Sequence, residues 1–231
     1  MYSYLLYPLF IVAILISGYA QIKVSTTFRK YSRVATASGR TAAEIAREIL
    51  DRNGLRGVGI ERVRGHLSDH YDPNANVLRL SESVYSSNSA AAIGVAAHEA
   101  GHAIQHAEDY IPIRIRSRLV PITSFASRAA WIFIVLGMLL YGLGGLGDWV
   151  LLIGVGLFAV TTLFQLVTLP CEFNASSRAL SAMDDIGYFS RRELGDARKV
   201  LSAAALTYVA ALIVSILQLL RYVVLLNNRR R

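Results

Sequence analysis

The chain has 231 residues, of which 54% are hydrophobic and 17% are charged, a balance too apolar for an ordinary soluble domain. Its formal net charge is +8, but the basic residues are dispersed beside apolar stretches, which argues against a nucleic-acid partner. The composition therefore predicts a membrane protein in contact with a lipid bilayer, with one modest water-exposed domain.

The first predicted element is a membrane span, Leu5–Ile22, which is long enough to cross the hydrocarbon core at about 1.5 Å per helical residue. A cleaved signal peptide is the alternative. However, no Lys or Arg precedes the apolar run, and Ser17–Ala20 is a poor cleavage site. We therefore predict that residues 1–22 form an uncleaved N-terminal transmembrane anchor.

Residues 23–128 have an ordinary charged composition and are predicted to form a small α+β domain. A helix is expected from a Thr-Ala-Ala-Glu capping box at Thr41 to a stop at Asn53. Val58–Leu67 and Asn76–Ser81 suggest a pair of short strands around a turn. They form either a purely structural hairpin or an edge that accepts an extended peptide.

A second helix is predicted over Ala90–Ala107, and it carries an H-E-x-x-H motif. On a helix, His98 and His102 fall on one face, close enough to share one Zn²⁺. Glu99 is then held beside the metal, where it can take a proton from the zinc-bound water and pass it to the leaving amine. The motif predicts a zinc metalloprotease, and satisfied core histidines are the alternative interpretation.

Two further apolar runs, Trp131–Leu143 and Trp149–Leu169, are separated by a short Gly-rich connector. They predict a transmembrane hairpin over residues 129–169. A last apolar run, Ala203–Leu226, predicts a C-terminal transmembrane helix, which with its basic tail occupies residues 203–231.

A catalytic zinc ion needs a third protein ligand. On an unbroken helix His106 would lie about 12 Å along the axis from the first histidine of the motif, too far to share the ion, and the metzincin pattern is absent. Glu172, in the segment 170–202, returns to the same membrane face after two crossings and is expected to begin a helix after Pro170. Cys171 is expected to be a buried structural thiol, and a role as the metal ligand is the alternative.

The sidedness of the spans follows from the basic residues. Nothing charged precedes the first span, which places the N-terminus outside and the following residues in the cytoplasm. With four crossings the tail Arg229–Arg231 would lie outside, so either the tail disobeys the rule or the last segment does not fully cross. The basic residues that follow the first span are Lys23, Arg29, Lys30, Arg33 and Arg40.

Four segments together resemble the YugP-like family of neutral zinc metallopeptidases of bacterial membranes and, more distantly, HtpX-like and CAAX prenyl proteases. They follow the N-terminal anchor and cover nearly the whole chain. The segments are Leu67-Ser68-Asp69-His70-Tyr71-Asp72-Pro73, Ala97-His98-Glu99-Ala100-Gly101-His102-Ala103-Ile104-Gln105, Pro170-Cys171-Glu172-Phe173-Asn174-Ala175-Ser176 and Ala203-Ala204-Ala205-Leu206-Thr207-Tyr208-Val209-Ala210.

The resemblance implies a mainly α, multi-span protein of the bacterial inner membrane with a small α+β zincin-like metalloprotease domain. It implies a gluzincin-like endopeptidase with His98, His102 and Glu172 as zinc ligands and Glu99 as catalytic base. Its active site is expected to face the cytoplasm. Protein or peptide substrates are expected, membrane proteins among them, and no oligomeric state is predicted.

The resemblance leaves the supporting residues open. Many proteases of this type carry an acidic residue four places after the glutamate ligand, where this chain has Ser176. Candidate substitutes that would orient a ligand are Asn174, Asp184 and Asp185. Candidate donors to the developing oxyanion are His70, Arg178 and Tyr188.

Two other functions remain as alternatives. The first is a zinc-binding scaffold component of a membrane complex that cleaves nothing. The second is an intramembrane site-2-type protease, although the stretch around His98 is short, has polar ends and lacks a downstream Leu-Asp-Gly ligand.

Overall fold

The computed structural model describes residues 3–65, 68–140 and 145–229. The start of the predicted Gly-rich connector and the tail residues Arg230 and Arg231 lie outside this range. The described residues form helices α1 (Ser3–Tyr31), α2 (Ala42–Arg52), α3 (Glu82–Tyr85), α4 (Ala90–Ala107), α5 (Ile111–Leu139), α6 (Gly145–Ile186) and α7 (Arg191–Arg229), and strands β1 (Gly59–Val63), β2 (His70–Asp72) and β3 (Val77–Ser81).

The chain divides into two compact units. The helical unit contains Met1–Ala20, Ile115–Leu169 and Thr207–Arg231. The mixed unit contains Gln21–Arg114 and Pro170–Leu206, and it includes the sheet. The predicted domain boundaries at residues 22, 128, 169 and 202 stay a prediction.

Four helices among the described residues are long and apolar enough to cross a membrane. In the helical unit, large apolar side chains such as Leu15, Phe125 and Leu139 are exposed, as lipid-facing residues of spans would be. The predicted mainly α, multi-span architecture with a small α+β region is confirmed. The helices are Pro8–Tyr31, Ile111–Leu139, Gly145–Ile186 and Arg191–Asn227.

The expectation that a helix begins after Pro170 is wrong, because α6 runs through Pro170 without a break. A proline inside a helix removes one backbone hydrogen bond. Packing of the next helical turn in the protein interior can offset this loss. That packing is present, since Cys171, Glu172 and Ala175 are at most 1% exposed. Glu172 therefore lies within a long helix rather than near the start of one.

The local signals of the mixed unit are confirmed in detail. Thr41 caps α2, and its side chain and Glu44 form the predicted capping box. The helix ends at Asn53, followed by Gly54 at a φ of +75°. Ser89 caps α4, which spans the predicted residues. Helix boundaries set by neighbouring residues were thus readable from the sequence.

The pairing of the strands differs from a simple hairpin. β1 pairs in parallel with β3, and the short strand β2 pairs antiparallel with β3, giving the order β1-β3-β2. The predicted turn closes the β2–β3 hairpin, with Asp72 Oδ1 accepting hydrogen bonds from the backbone N–H groups of Asn74 and Ala75. A turn joins the strands that directly flank it, and β2 is the strand that does so here.

Helices α4 and α6 approach each other closely at Gly101. A Cβ atom placed on Gly101 would lie 2.6 Å from the carbonyl oxygen of Ala175. The partner Ala175 and the preceding residue Ala100 are also small, and both are fully buried. Small residues allow two helix backbones to approach in this way. The contact holds the segment that follows Pro170 against α4.

We expect Gly101→Ala to destabilise the protein by about 1–3 kcal/mol, because the added methyl group forces the backbones apart. The measurement is the free energy of unfolding of the purified protein. Gly195→Ala is the matched control, since Gly195 is also helical and a Cβ there meets nothing within 4 Å. It should stabilise by up to about 1 kcal/mol through helix propensity. Equal effects of the two changes would contradict the close approach.

Candidate metal centre

Helix α4 presents both histidines of the motif on one face. The rings of His98 and His102 are 4.7 Å apart between centroids and nearly perpendicular. Their side chains are only 14% and 9% exposed. This is the arrangement that the i, i+4 spacing predicts.

Helix α6 brings the carboxylate of Glu172 to this face. Glu172 Oε2 lies 3.2 Å from His98 Nε2 and 3.7 Å from His102 Nε2, and the residue is 1% exposed. One ligand atom of each residue lies within 4.8 Å of those of the other two. Among the described residues, this group includes neither Cys171, which is buried, nor His106.

The chemistry of this donor set fits zinc. Two imidazole nitrogens and one carboxylate oxygen are the ligands of one common class of catalytic zinc site. At ligand–metal distances of about 2.0–2.2 Å, two ligands of a tetrahedral ion are about 3.3–3.6 Å apart. The distances of 3.2 and 3.7 Å between Glu172 Oε2 and the two imidazoles are close to this value. For these two pairs, little rearrangement would be needed to hold the ion.

Gln105 orients the ring of His102 from the far side. It is fully buried, and its Nε2 donates hydrogen bonds to the carbonyl oxygen of Cys171 at 2.9 Å and to Asn174 Oδ1 at 2.8 Å. Gln105 Oε1 consequently faces His102 Nδ1 at 3.0 Å and accepts its proton. This bond keeps the lone pair of His102 on Nε2, the atom that faces Glu172.

Arg178 fixes the direction of this chain of hydrogen bonds. A guanidinium group only donates, and Arg178 Nε donates to Asn174 Oδ1 at 2.7 Å, which identifies that atom as the amide oxygen. Arg178 also pairs with Glu108 at 2.7 Å. This hydrogen bond holds the pKa of Glu108 below its usual value. The guanidinium of Arg178 therefore determines, through two intervening side chains, which nitrogen of His102 carries the proton.

His98 has a different partner. Its Nδ1 lies 3.1 Å from the hydroxyl of Ser176, which can accept the Nδ1 proton and leave the Nε2 lone pair towards Glu172. Ser176 occupies the place where many proteases of this type carry an acidic residue, and it makes the contact directly. The other suggested substitutes lie differently: Asn174 reaches the site through Gln105, whereas Asp184 and Asp185 are exposed.

Glu99 is held by the edge strand of the sheet. The backbone N–H of Tyr71, on β2, donates to Glu99 Oε2 at 3.1 Å. Asp69 lies nearby and binds the backbone N–H and hydroxyl of Ser81. Burial raises the pKa of Asp69, the two hydrogen bonds from Ser81 oppose this, and the charge of Glu99 raises it further. The sheet thus fixes one oxygen of the Glu99 carboxylate.

The three candidate oxyanion donors make contacts outside the His-His-Glu group. His70 is exposed, with Nδ1 2.9 Å from the carbonyl oxygen of Ser68. Tyr188 is 41% exposed, with the guanidinium of Arg40 4.8 Å from its ring centroid. Arg178 serves the chain that ends at His102. The roles of all three as oxyanion donors stay predictions.

The sequence analysis did not identify two groups that contribute to the site. Gln105 stands three residues after His102, so it shares that face of the helix, and a buried amide at this spacing was a usable signal. The N–H of Tyr71 is a backbone group, and no side-chain pattern reports where it points.

Comparison with known proteins agrees with this architecture and site. A mainly α membrane architecture and a His-His-Glu group that fits zinc are the features of a membrane zinc metallopeptidase. Residues 6–227 match the family described as "Putative neutral zinc metallopeptidase", and the chain belongs to that family. It is 50% identical over 220 residues to "Putative membrane protease YugP" of Bacillus subtilis (strain 168), covering 95% of this chain and 96% of that protein. No solved structure matches the chain.

Family membership confirms the predicted resemblance, zinc as the cofactor and the assignment to the metallopeptidases. A peptidase acts on proteins or peptides, and the four apolar helices place this one in a lipid bilayer.

Proposed function

We propose that the protein is an integral membrane endopeptidase in which His98, His102 and Glu172 hold zinc and Glu99 is the general base. The observation that carries the proposal is the convergence of the three donors within 4.8 Å, with Glu99 next to the first of them in sequence. Both imidazoles have an Nδ1 partner that directs Nε2 towards the shared centre. This orientation supports a metal site rather than a pair of core histidines.

The proposed chemistry is a gluzincin-like hydrolysis. Zinc, when bound, would supply the Lewis acidity that polarises the scissile carbonyl and makes water a nucleophile near neutral pH. Glu99 takes the proton of the attacking water and passes it to the leaving amine. The Tyr71 N–H bond to Oε2 holds the carboxylate in place and leaves Oε1 as the proton acceptor.

The substrate is proposed to bind along β2. This strand is at one edge of the sheet, and the Tyr71 N–H points to Glu99 rather than to β3. Because Glu99 occupies the Tyr71 N–H, an extended peptide would pair with the other main-chain groups of this edge, whatever its side chains are. Pairing there would bring its backbone next to Glu99, which favours cleavage of extended segments over folded ones.

The active site is proposed to face the cytoplasm of a bacterial inner membrane. The support is the group of basic residues that follows the apolar run Leu5–Ile22, two of which, Arg29 and Lys30, lie in the last turn of α1. The site-2-type alternative has little support, since α4 is not among the four candidate spans of the described chain. The scaffold alternative is distinguished by the first experiment below.

Glu99→Gln should lower kcat about 10²- to 10⁴-fold while zinc content stays near one ion per chain, because the amide accepts no proton. The measurements are cleavage of an unfolded protein substrate in proteoliposomes and zinc by elemental analysis. Glu82→Gln, an exposed change of the same kind, is the control. A purified wild-type protein that binds zinc without cleaving anything would favour the scaffold.

Glu172→Gln should weaken zinc binding more than about 100-fold, since even changes outside the ligands cost about 10- to 100-fold. Zinc affinity is measured by competition with a chelator. Cys171→Ser is the matched neighbour and should leave the affinity within a few-fold of wild type. Unchanged affinity in Glu172→Gln together with loss in Cys171→Ser would make the thiol the third ligand.

Asn74→Cys in a Cys171→Ser background should resist an impermeant thiol reagent in intact cells and react after the membrane is opened. Asn74 is exposed in the turn between β2 and β3, so the thiol is accessible on its own side. Labelling in intact cells would place the site outside the cytoplasm and reverse the proposed topology.

A further inference from the structure

A groove separate from the metal centre lies in the mixed unit, between the end of α1 and the first half of α7. It encloses about 610 Å³. We call it the basic groove, because four of its lining residues are cations and none of the described residues that line it is acidic. The cations are Lys23, Lys30, Arg198 and Lys199.

Most of this positive charge is not compensated. Lys199 pairs with Asp196 at 2.9 Å. Within the described chain, no carboxylate lies within salt-bridge distance of Lys23, Lys30 or Arg198, and all three are exposed. The ammonium groups of Lys30 and Lys199 lie 5.3 and 5.4 Å from the same ring centroid, that of Tyr31. Cations brought together without acidic partners repel one another and favour an anion between them.

The groove also has an apolar end. Lys23 directly follows the apolar run of the first span, and Ala203 and Leu206, which line the groove, open the apolar run of the last. The hydroxyl residues Thr26 and Ser202 lie among the cations. The surface at the groove therefore changes from charged to apolar along both α1 and α7. This change is expected where a span meets the polar surface of a bilayer.

We propose that the basic groove binds the phosphodiester headgroup of an anionic membrane lipid. Basic pockets beside spans recognise such headgroups through charge and hydrogen bonds. A lipid uses both ends of the groove, since its phosphate meets the cations and its chains continue along Ala203 and Leu206. A free phosphate uses only the first. The proposal does not depend on the peptidase chemistry, because no residue of the metal centre lines the groove.

The test is competitive lipid retention by the full-length protein, measured by native mass spectrometry. The protein is released from mixed micelles that contain equal amounts of dioleoyl phosphatidylglycerol and dioleoyl phosphatidylcholine. Lys30→Gln combined with Arg198→Gln removes two exposed cations of the groove. Arg191→Gln combined with Arg192→Gln is the control, because both are exposed, lie on α7 and do not line the groove.

We expect the wild type and the control pair to retain phosphatidylglycerol in preference to phosphatidylcholine. In the Lys30→Gln, Arg198→Gln variant this preference should fall about 30-fold, which is the expected effect of removing two cations that lie near an anionic surface. Equal retention of both lipids by the wild type, an unchanged preference in the groove pair, or the same loss in the control pair would overturn the proposal. Displacement of the lipid by millimolar inorganic phosphate would also overturn it, and would identify a soluble-anion site.

Discussion

The candidate metal centre depends on the contact between α4 and α6 at Gly101. Glu172 is one helical turn before Ala175, whose carbonyl oxygen lies against Gly101. Only a residue without a side chain permits this approach, and the approach brings a carboxylate to within 3.2 Å of an imidazole on the other helix. The two variable positions of the H-E-x-x-H motif are thus constrained here by packing. Gly101 has no room for a side chain because of the neighbouring helix, and Ala100 is fully buried.

Around this contact the polar groups form a directed network. Arg178 determines the orientation of Asn174, Asn174 that of Gln105, and Gln105 that of His102. Each member is a side chain whose donor and acceptor atoms are fixed by the previous one. His98 receives a single hydroxyl instead. The two histidines therefore differ in support, one held by a chain of two amides and the other by one serine.

Much of the local structure could be predicted because its signals are local. The capping residues Thr41 and Ser89 identified the start of α2 and α4, and the count of apolar runs placed Glu172 on the side of His98. The sheet could not be predicted in the same way. β2 has three residues, which is too short for an alternating pattern, and its pairing with β3 depends on a turn rather than on its own composition.

The candidate metal centre joins residues that are 74 positions apart in the chain, and between them lie the candidate span Ile111–Leu139 and the first part of Gly145–Ile186. During synthesis, His98 and His102 emerge from the ribosome long before Glu172 does. Until then a nascent chain carries only two of the three proposed donors, one fewer than the three protein ligands of a catalytic zinc site. The site can therefore be completed only after the predicted transmembrane hairpin, residues 129–169, has been synthesised. The order of translation would itself delay the appearance of the proposed proteolytic site beside an unfinished membrane protein.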